Sequence, residues 1–159
     1  MGGIILTSPG YLELLRSNKT FARLWGSNMI LYIGDWFTVL AMFLLAGDAT
    51  DNSPLAIAGV LAVRSFTFAP LEPITGMLAD RYPRKYLMII ANLFSFVILI
   101  SFILTGILDN LFSVYALTIL LVVGRAIYDP AGTAYLPTIC NEEELLTANA
   151  LISGGWSAS

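Results

Sequence analysis

The chain alternates between long apolar runs and short polar stretches. Apolar runs at residues 24–46, 54–78, 86–104 and 111–139 are each long enough for a helix to cross a bilayer core about 30 Å thick. A further apolar run starts near residue 146. This pattern predicts an all-α membrane protein with four transmembrane helices and the start of a fifth.

Residues 1–23, before the first predicted span, show a different pattern. Between Tyr11 and Arg23, charged side chains are interspersed with leucines and a phenylalanine, which is typical of an amphipathic segment at a membrane surface. A disordered lead-in is the alternative interpretation. We therefore divide the chain into an N-terminal amphipathic segment, residues 1–23, and a partial N-terminal transmembrane bundle, residues 24–159.

The composition favours a membrane protein as well. Apolar residues make up 57% of the 159 residues and charged residues 12%, against about 25% charged residues in an ordinary soluble domain. The sequence has no histidine and one cysteine, Cys140. It therefore lacks the usual metal ligand, the usual neutral-pH acid–base group and any pair for an intrachain disulfide.

These features also bear on the class of function. An enzyme needs a nucleophile beside a base, or a set of metal ligands, and the sequence shows neither pattern. It also contains no glycine-rich phosphate loop, calcium-binding loop or basic stripe for nucleic acid. We predict that the protein is not an enzyme, needs no cofactor or metal, has no nucleic-acid partner and is surrounded by the lipid bilayer.

The basic residues predict how the chain threads the membrane. Lysine and arginine precede the first span and lie between the second and third spans, whereas the turns after the first and third spans contain none. Cytoplasmic loops carry the excess of Lys and Arg, so this bias places the N-terminus and the connection around Asp80 in the cytoplasm. We expect a multi-pass protein of the cell (inner or plasma) membrane.

Two opposite charges lie deep inside predicted spans. At about 1.5 Å of rise per residue, Asp35 lies roughly 16 Å from Leu24, and Arg64 roughly 15 Å from Pro54. Both are therefore near mid-depth, where a charge is costly and usually has a function. One interpretation is a buried ion pair that only orients two helices. The other is a site for substrate or proton coupling.

A second group of charges lies toward the predicted cytoplasmic side. Arg125 and Asp129 are four residues apart on the fourth span, so they share one helical face. We expect these charges at the level of the basic connection between the second and third spans, with the acidic groups accepting hydrogen bonds from its cations. This charged latch is either a static network or a moving gate. Its predicted members are Glu72, Gly76, Asp80, Arg81, Arg84, Lys85 and Asp129.

The connection at residues 76–85 resembles the signature loop of the major facilitator superfamily. That loop reads Gly, three residues, Asp, Arg, any residue, Gly and two basic residues. Pro83 stands here in place of the second glycine, which questions the turn geometry but not the charge pattern. The positions that match the loop are Gly76, Asp80, Arg81, Arg84 and Lys85.

Other segments are similar to the same family. Gly124 and Arg125 resemble its membrane-embedded arginine motif, although Asp129 replaces an expected glycine. Positions similar to the drug-efflux branch are Gly34, Asp35, Arg64, Leu136, Pro137 and residues 130–132, 142–145 and 148–150.

The resemblance implies a secondary transporter with about twelve helices in two halves, which carries a small-molecule substrate by alternating access. It implies that Asp80 contacts a helix N-terminus of the second half and that Arg84 pairs with Asp129. The candidate residues for substrate or proton coupling are Asp35, Arg64 and Arg125.

The function expected from this resemblance is that of an efflux permease, with protons as a candidate coupling ion in an antiporter. Four helices and part of a fifth do not enclose a substrate path, so we interpret the chain as a truncated N-terminal piece that lacks the C-terminal half of the same fold. The alternative is a small non-transporting membrane scaffold or assembly subunit.

Overall fold

A computed structural model describes residues 9–158 of the chain. These residues form an all-α fold with no strand among them. Short connections join the helices, and the longest helices are those that the apolar runs predict. The six helices are α1 (Tyr11–Ser17), α2 (Lys19–Asp48), α3 (Pro54–Arg81), α4 (Arg84–Thr105), α5 (Leu111–Ile139) and α6 (Glu142–Ala158).

Four of these helices, α2 to α5, are long and apolar enough to cross a membrane. Helix α6 follows them as the start of the fifth. The predicted class, an all-α membrane protein with four spanning helices and the beginning of another, is therefore confirmed. Prolines lie inside α3 and α5, but both helices continue through them.

The helices extend beyond the predicted spans. Helix α2 already begins at Lys19, α3 continues as far as Arg81, and α6 begins at Glu142 rather than near residue 146. Hydropathy detects only the apolar part of a helix. The backbone hydrogen bonds continue into the charged ends, where long side chains can keep their charged groups in water. The bounds of the spans themselves stay predictions.

The two turns on the side without lysine or arginine use left-handed backbone. Asp51 and Asn52 have φ angles of 53° and 62°, and Asp and Asn are among the residues that adopt this region most readily. Gly106, with a φ of 63°, ends α4 in the same conformation, as glycine commonly does after a helix. Asn110 then caps α5, since its Oδ1 accepts a 2.9 Å hydrogen bond from the Ser113 N–H.

The chain divides into two compact units. The central unit is Thr38–Ala134, and its core contains Met42, Ala46, Val60, Val114 and Leu117. Within this core, the Tyr115 hydroxyl donates a 2.8 Å hydrogen bond to the Ala56 carbonyl. A side chain at Gly59 would collide with the Tyr115 ring, so this glycine allows α3 and α5 to approach closely.

The terminal unit combines the start of the chain, as far as Phe37, with Tyr135 onward. Its core is built from Leu14, Phe21, Leu136, Cys140 and Ala148. Helix α1 packs against α6, and the Thr147 hydroxyl donates a 2.8 Å hydrogen bond to the Pro9 carbonyl. The predicted amphipathic segment is thus helical from Tyr11 and buries Leu14 completely. Its position at a membrane surface stays a prediction.

Candidate functional site

The connection between α3 and α4 is much shorter than the ten-residue motif around it. Gly76 through Arg81 are helical, and only Tyr82 and Pro83 separate the two helices. Tyr82 is extended, with φ −117° and ψ 155°, because a residue before proline avoids the helical region. Pro83, which replaces the second glycine of the loop that this segment resembles, forms the connection together with the extended Tyr82.

The charges of this connection mostly face outward. Asp80, Arg81 and Lys85 are exposed, while Arg84 is half-buried at the start of α4. Gly76 is half-buried inside the last turns of α3, and Glu72, one turn earlier, is exposed. The short connection therefore brings the charged residues at the end of α3 close to those at the start of α4.

Arg125 and Asp129 form an ion pair on α5, as their spacing predicts. The Arg125 Nε lies 3.0 Å from one carboxylate oxygen of Asp129 and donates a 3.1 Å hydrogen bond to the other. The Arg125 guanidinium also lies 5.8 Å from the centre of the Tyr128 ring, within the range of a cation–π contact. The predicted pairing of Asp129 with Arg84 stays a prediction.

The two mid-depth charges belong to different units. Asp35 lies on the part of α2 in the terminal unit, and Arg64 lies on α3 in the central unit. Each side chain is half-buried. Whether they form the predicted pair stays a prediction, as does their part in coupling.

A group of aromatic side chains from α2 and α6 lies in the terminal unit. The rings of Trp36 and Trp156 are stacked, with centroids 6.4 Å apart and planes at 29°. Tyr32 meets Trp156 edge-on at 5.4 Å. Tyr32 and Trp36 are one turn apart on α2, a spacing visible in the sequence, but the contribution of Trp156 depends on how α6 packs. Our sequence interpretation missed this aromatic cluster.

Comparison with known proteins shows the family. Residues 24–159 match the family model described as the Major Facilitator Superfamily. The chain belongs to this superfamily. Its multi-pass membrane character follows from this membership together with the four candidate spans. The predicted placement in the drug-efflux branch stays a prediction.

One major facilitator relative comes from Bacillus subtilis (strain 168) and is named "Uncharacterized MFS-type transporter YfiS". It is 32% identical over 80 residues, which are 50% of this chain and 19% of the relative. The matched part thus spans about a fifth of that relative's length. No solved structure matches the chain.

A second feature of this major facilitator chain was not predicted from its sequence. The side chain of Asn18 connects three helix ends. Its Oδ1 accepts a 3.0 Å hydrogen bond from the Phe21 N–H and so caps α2. Its Nδ2 donates to the carbonyl of Ile139, at the end of α5, at 2.7 Å, and to Glu144 Oε2, in α6, at 3.2 Å.

Glu144 itself belongs to a reciprocal cap at the start of α6. It accepts a 3.1 Å hydrogen bond from the Asn141 N–H, while Asn141 Oδ1 accepts a 2.9 Å hydrogen bond from the Glu144 N–H. The spacing of Asn and Glu, three residues apart, is the sequence signature of such a cap. We name this group of Asn18, Ile139, Asn141 and Glu144 the helix-end junction.

Cys140 lies within the chain segment of this junction and is buried. Desolvation by burial, with a smaller contribution from the negative charge of Glu144, raises the pKa of its thiol from 9.0 to about 11. Because the thiolate is the nucleophilic form of cysteine, this environment makes Cys140 a poor nucleophile near neutral pH.

Proposed function

We propose that the chain forms part of a secondary transporter of the major facilitator type, which exports a small molecule by alternating access in the cell membrane. The observation that carries the proposal is the Arg125–Asp129 ion pair inside a candidate span of a chain that belongs to this family. A charge pair is costly in a spanning helix, and a scaffold would have little use for it.

In this proposal, three charged residues in the spans serve substrate or proton coupling. Asp35 and Arg64 are half-buried on α2 and α3, which suits groups that change their surroundings during a transport cycle. Arg125 is held in position by its ion pair with Asp129. Protons are the proposed coupling ion, because the pKa of a carboxylate in general depends on its burial and on neighbouring charges.

The latch acts on the cytoplasmic side in this proposal. The exposed positions of Asp80, Arg81 and Lys85 leave them available to a second six-helix half of the same fold. An aspartate is stabilised near a helix N-terminus by the positive end of the helix dipole. Contact between Asp80 and such a terminus would hold the cytoplasmic side closed.

The experiment replaces Asp80 with asparagine in the transporter assembled with its second half, in a Cys140→Ala background. Reporter cysteines at Met77 and Ala58, both exposed and near opposite ends of α3, are labelled with a maleimide in membranes. We expect Asp80→Asn to raise labelling at position 77 several-fold and lower it at position 58, because the latch no longer favours cytoplasmic closure.

The matched control is Asp48→Asn. It removes an exposed carboxylate at the C-terminal end of α2, which lies on the side of the predicted bundle opposite to Asp80. It should leave both labelling rates unchanged. Equal labelling of the Asp80→Asn protein and its parent at both reporters would contradict a moving latch and favour the scaffold.

A further inference from the structure

One face of α2 carries a continuous stripe of open positions in the terminal unit. The positions alternate in steps of four and three residues, which keeps them on a single face of a helix. The apolar side chains are large and exposed, since Ile30 is 74% exposed, Ile33 52% and Phe37 68%. We name this face the α2 stripe. Its members are Lys19, Arg23, Gly26, Ile30, Ile33 and Phe37.

The polar end of the α2 stripe holds two cations. Lys19 and Arg23 are both exposed and lie one turn apart, and neither side chain forms an ion pair within residues 9–158. Like charges four residues apart repel each other and destabilise a helix, so an anion shared between them is favourable. Asn18 already accepts the hydrogen bond of the Phe21 N–H. The basic side chains, rather than the backbone at the start of α2, are therefore what this end offers to an anion.

The order of residues along the stripe matches the depth of the parts of a phospholipid. At about 1.5 Å per residue, Lys19 lies roughly 8 Å outside Leu24, where the apolar run starts, and Arg23 about 2 Å outside it. Headgroups occupy roughly 5–8 Å on each side of the apolar core, and the flexible stems of Lys and Arg let their charges reach that layer. Ile30 and Ile33 lie roughly 9 and 14 Å inside Leu24, at the depth of the acyl chains.

Gly26 leaves a hollow between the two cations and Ile30. A Cβ atom at this position would meet nothing within 4 Å, so Gly26, unlike Gly59, does not allow two of the described helices to approach closely. Glycine weakens a helix relative to alanine. The hollow gives an acyl chain access to the backbone of α2, where the chain gains dispersion contacts along its length.

We propose that the α2 stripe binds one anionic phospholipid, with its phosphate between Lys19 and Arg23 and an acyl chain along Gly26 and Ile30. Charge complementarity selects this occupant, because basic residues beside a membrane span attract anionic headgroups. A zwitterionic lipid carries a positive group that opposes the two cations. A second copy of α2 on this face, related by an axis along the membrane normal, would bring the same two cations against them. The site takes a lipid rather than a transported substrate and does not depend on the proposed transport function.

The experiment is native mass spectrometry of the detergent-solubilised 159-residue chain, titrated with dioleoylphosphatidylglycerol or dioleoylphosphatidylcholine. We expect the first phosphatidylglycerol to bind roughly tenfold more tightly, because each basic residue near the surface adds attraction for an anionic lipid. Lys19→Gln combined with Arg23→Gln should abolish this preference, whereas Lys19→Arg combined with Arg23→Lys should keep it. Gly26→Leu, which fills the hollow, should weaken binding of phosphatidylglycerol several-fold.

Two variants outside the stripe serve as matched controls. Arg16→Gln removes an exposed cation on α1, and Gly154→Leu fills an equally open position on α6. Both should bind phosphatidylglycerol within twofold of the parent, and circular dichroism checks that every variant keeps its helices.

Four results would each overturn the proposal. They are equal affinity of the parent for the two lipids, an unchanged preference after both cations are replaced by glutamine, an equal loss in Arg16→Gln, and displacement of the lipid by glycerol 3-phosphate alone. The last result would assign the cations to a free anion. A dimer that Gly26→Leu separates would also overturn it, because the stripe would then belong to a contact between two copies of the chain.

Discussion

Arg125 and Asp129 show how a single helix carries two charges into a membrane. The pair is local, because both residues lie on α5 one turn apart. Their side chains are 15% and 38% exposed. Each charge finds its opposite charge on the same helix, so the pairing needs no contact with another helix. A pair of this kind lowers the cost of inserting the helix, since opposite charges four residues apart reach each other within it.

Cys140 is the residue whose chemistry the structure changes most clearly. Burial, and to a smaller degree Glu144, raises the pKa of its thiol to about 11. A proton that is held more tightly in the folded state contributes stability below pH 9.0, and this contribution is lost as pH rises toward 11. The alkylation rate of Cys140 should rise over the same pH range, because the thiolate is the reactive form.

We predict that the reaction of Cys140 with iodoacetamide in the native chain is slow at pH 7.5 and still rises steeply at pH 10, because little thiolate forms below that pH. Glu144→Gln should speed the reaction at pH 9, since it removes a charge that opposes ionisation. The measurement is the alkylation rate by mass spectrometry.

The comparison for this prediction is Thr20→Cys in a Cys140→Ala background. Position 20 is exposed, so its thiol should ionise near its ordinary pKa and its rate should level off above about pH 9. If Cys140 levels off at the same pH as Cys at position 20, the shift is absent.

At the scale of elements, the helix-end junction joins segments that lie far apart in the sequence. The Asn18 side chain satisfies an N–H at the start of α2 and a carbonyl at the end of α5. Both groups belong to the backbone atoms that a helix leaves without internal partners. The junction thus fixes where one helix begins and another ends.

Asn18→Asp is a selective test of the junction. Aspartate keeps an oxygen for the Phe21 N–H, but it cannot donate to Ile139 and it faces the carboxylate of Glu144. We expect a loss of about 2 kcal/mol in the free energy of unfolding, from two lost hydrogen bonds, and slower alkylation of the nearby Cys140 at pH 9, because a second carboxylate opposes ionisation of its thiol. Unfolding in mixed micelles and iodoacetamide kinetics measure the two effects.

Asn149→Asp makes the same chemical change on α6, where the exposed Asn149 donates a 2.9 Å hydrogen bond to Leu145. It should cost less stability and leave Cys140 as protected as in the parent. Equal effects of the two variants would show that Asn18 is only a local cap.

The elements that the sequence predicts well are those fixed by local physics. A helix crossing lipid must satisfy its own backbone and present apolar side chains throughout, so length and hydropathy identify α2 to α5 directly. The spacing of Arg125 and Asp129 is also local. By contrast, Asn18 and Trp156 act through residues far away in the chain, and their roles depend on how α6 returns to α2 within the terminal unit.

At the scale of the whole molecule, orientation is the property on which the proposed latch depends. The distribution of lysine and arginine predicts a cytoplasmic N-terminus. The proposed latch lies in the cytoplasm if this prediction is right, and labelling from one side of the membrane tests it directly.

We expect a membrane-impermeant maleimide to label Asp109→Cys but not Tyr82→Cys in intact cells expressing the chain, each in a Cys140→Ala background. Both positions are exposed and lie at connections on opposite sides of the predicted bundle. After the cells are opened, both should react. Labelling of position 82 from outside would reverse the assigned sides and remove the basis of the proposed latch.

The hydrogen bond between Asn18 and Glu144 also has a consequence in time, because 126 positions separate the two residues. At about 5–20 residues per second, a ribosome needs roughly 6–25 seconds to synthesise that interval. Helix α2 is therefore made long before its distant partners exist. The cap between Asn18 and Phe21 can form at once, whereas the two hydrogen bonds that Asn18 Nδ2 donates form only after Ile139 and Glu144 have been synthesised.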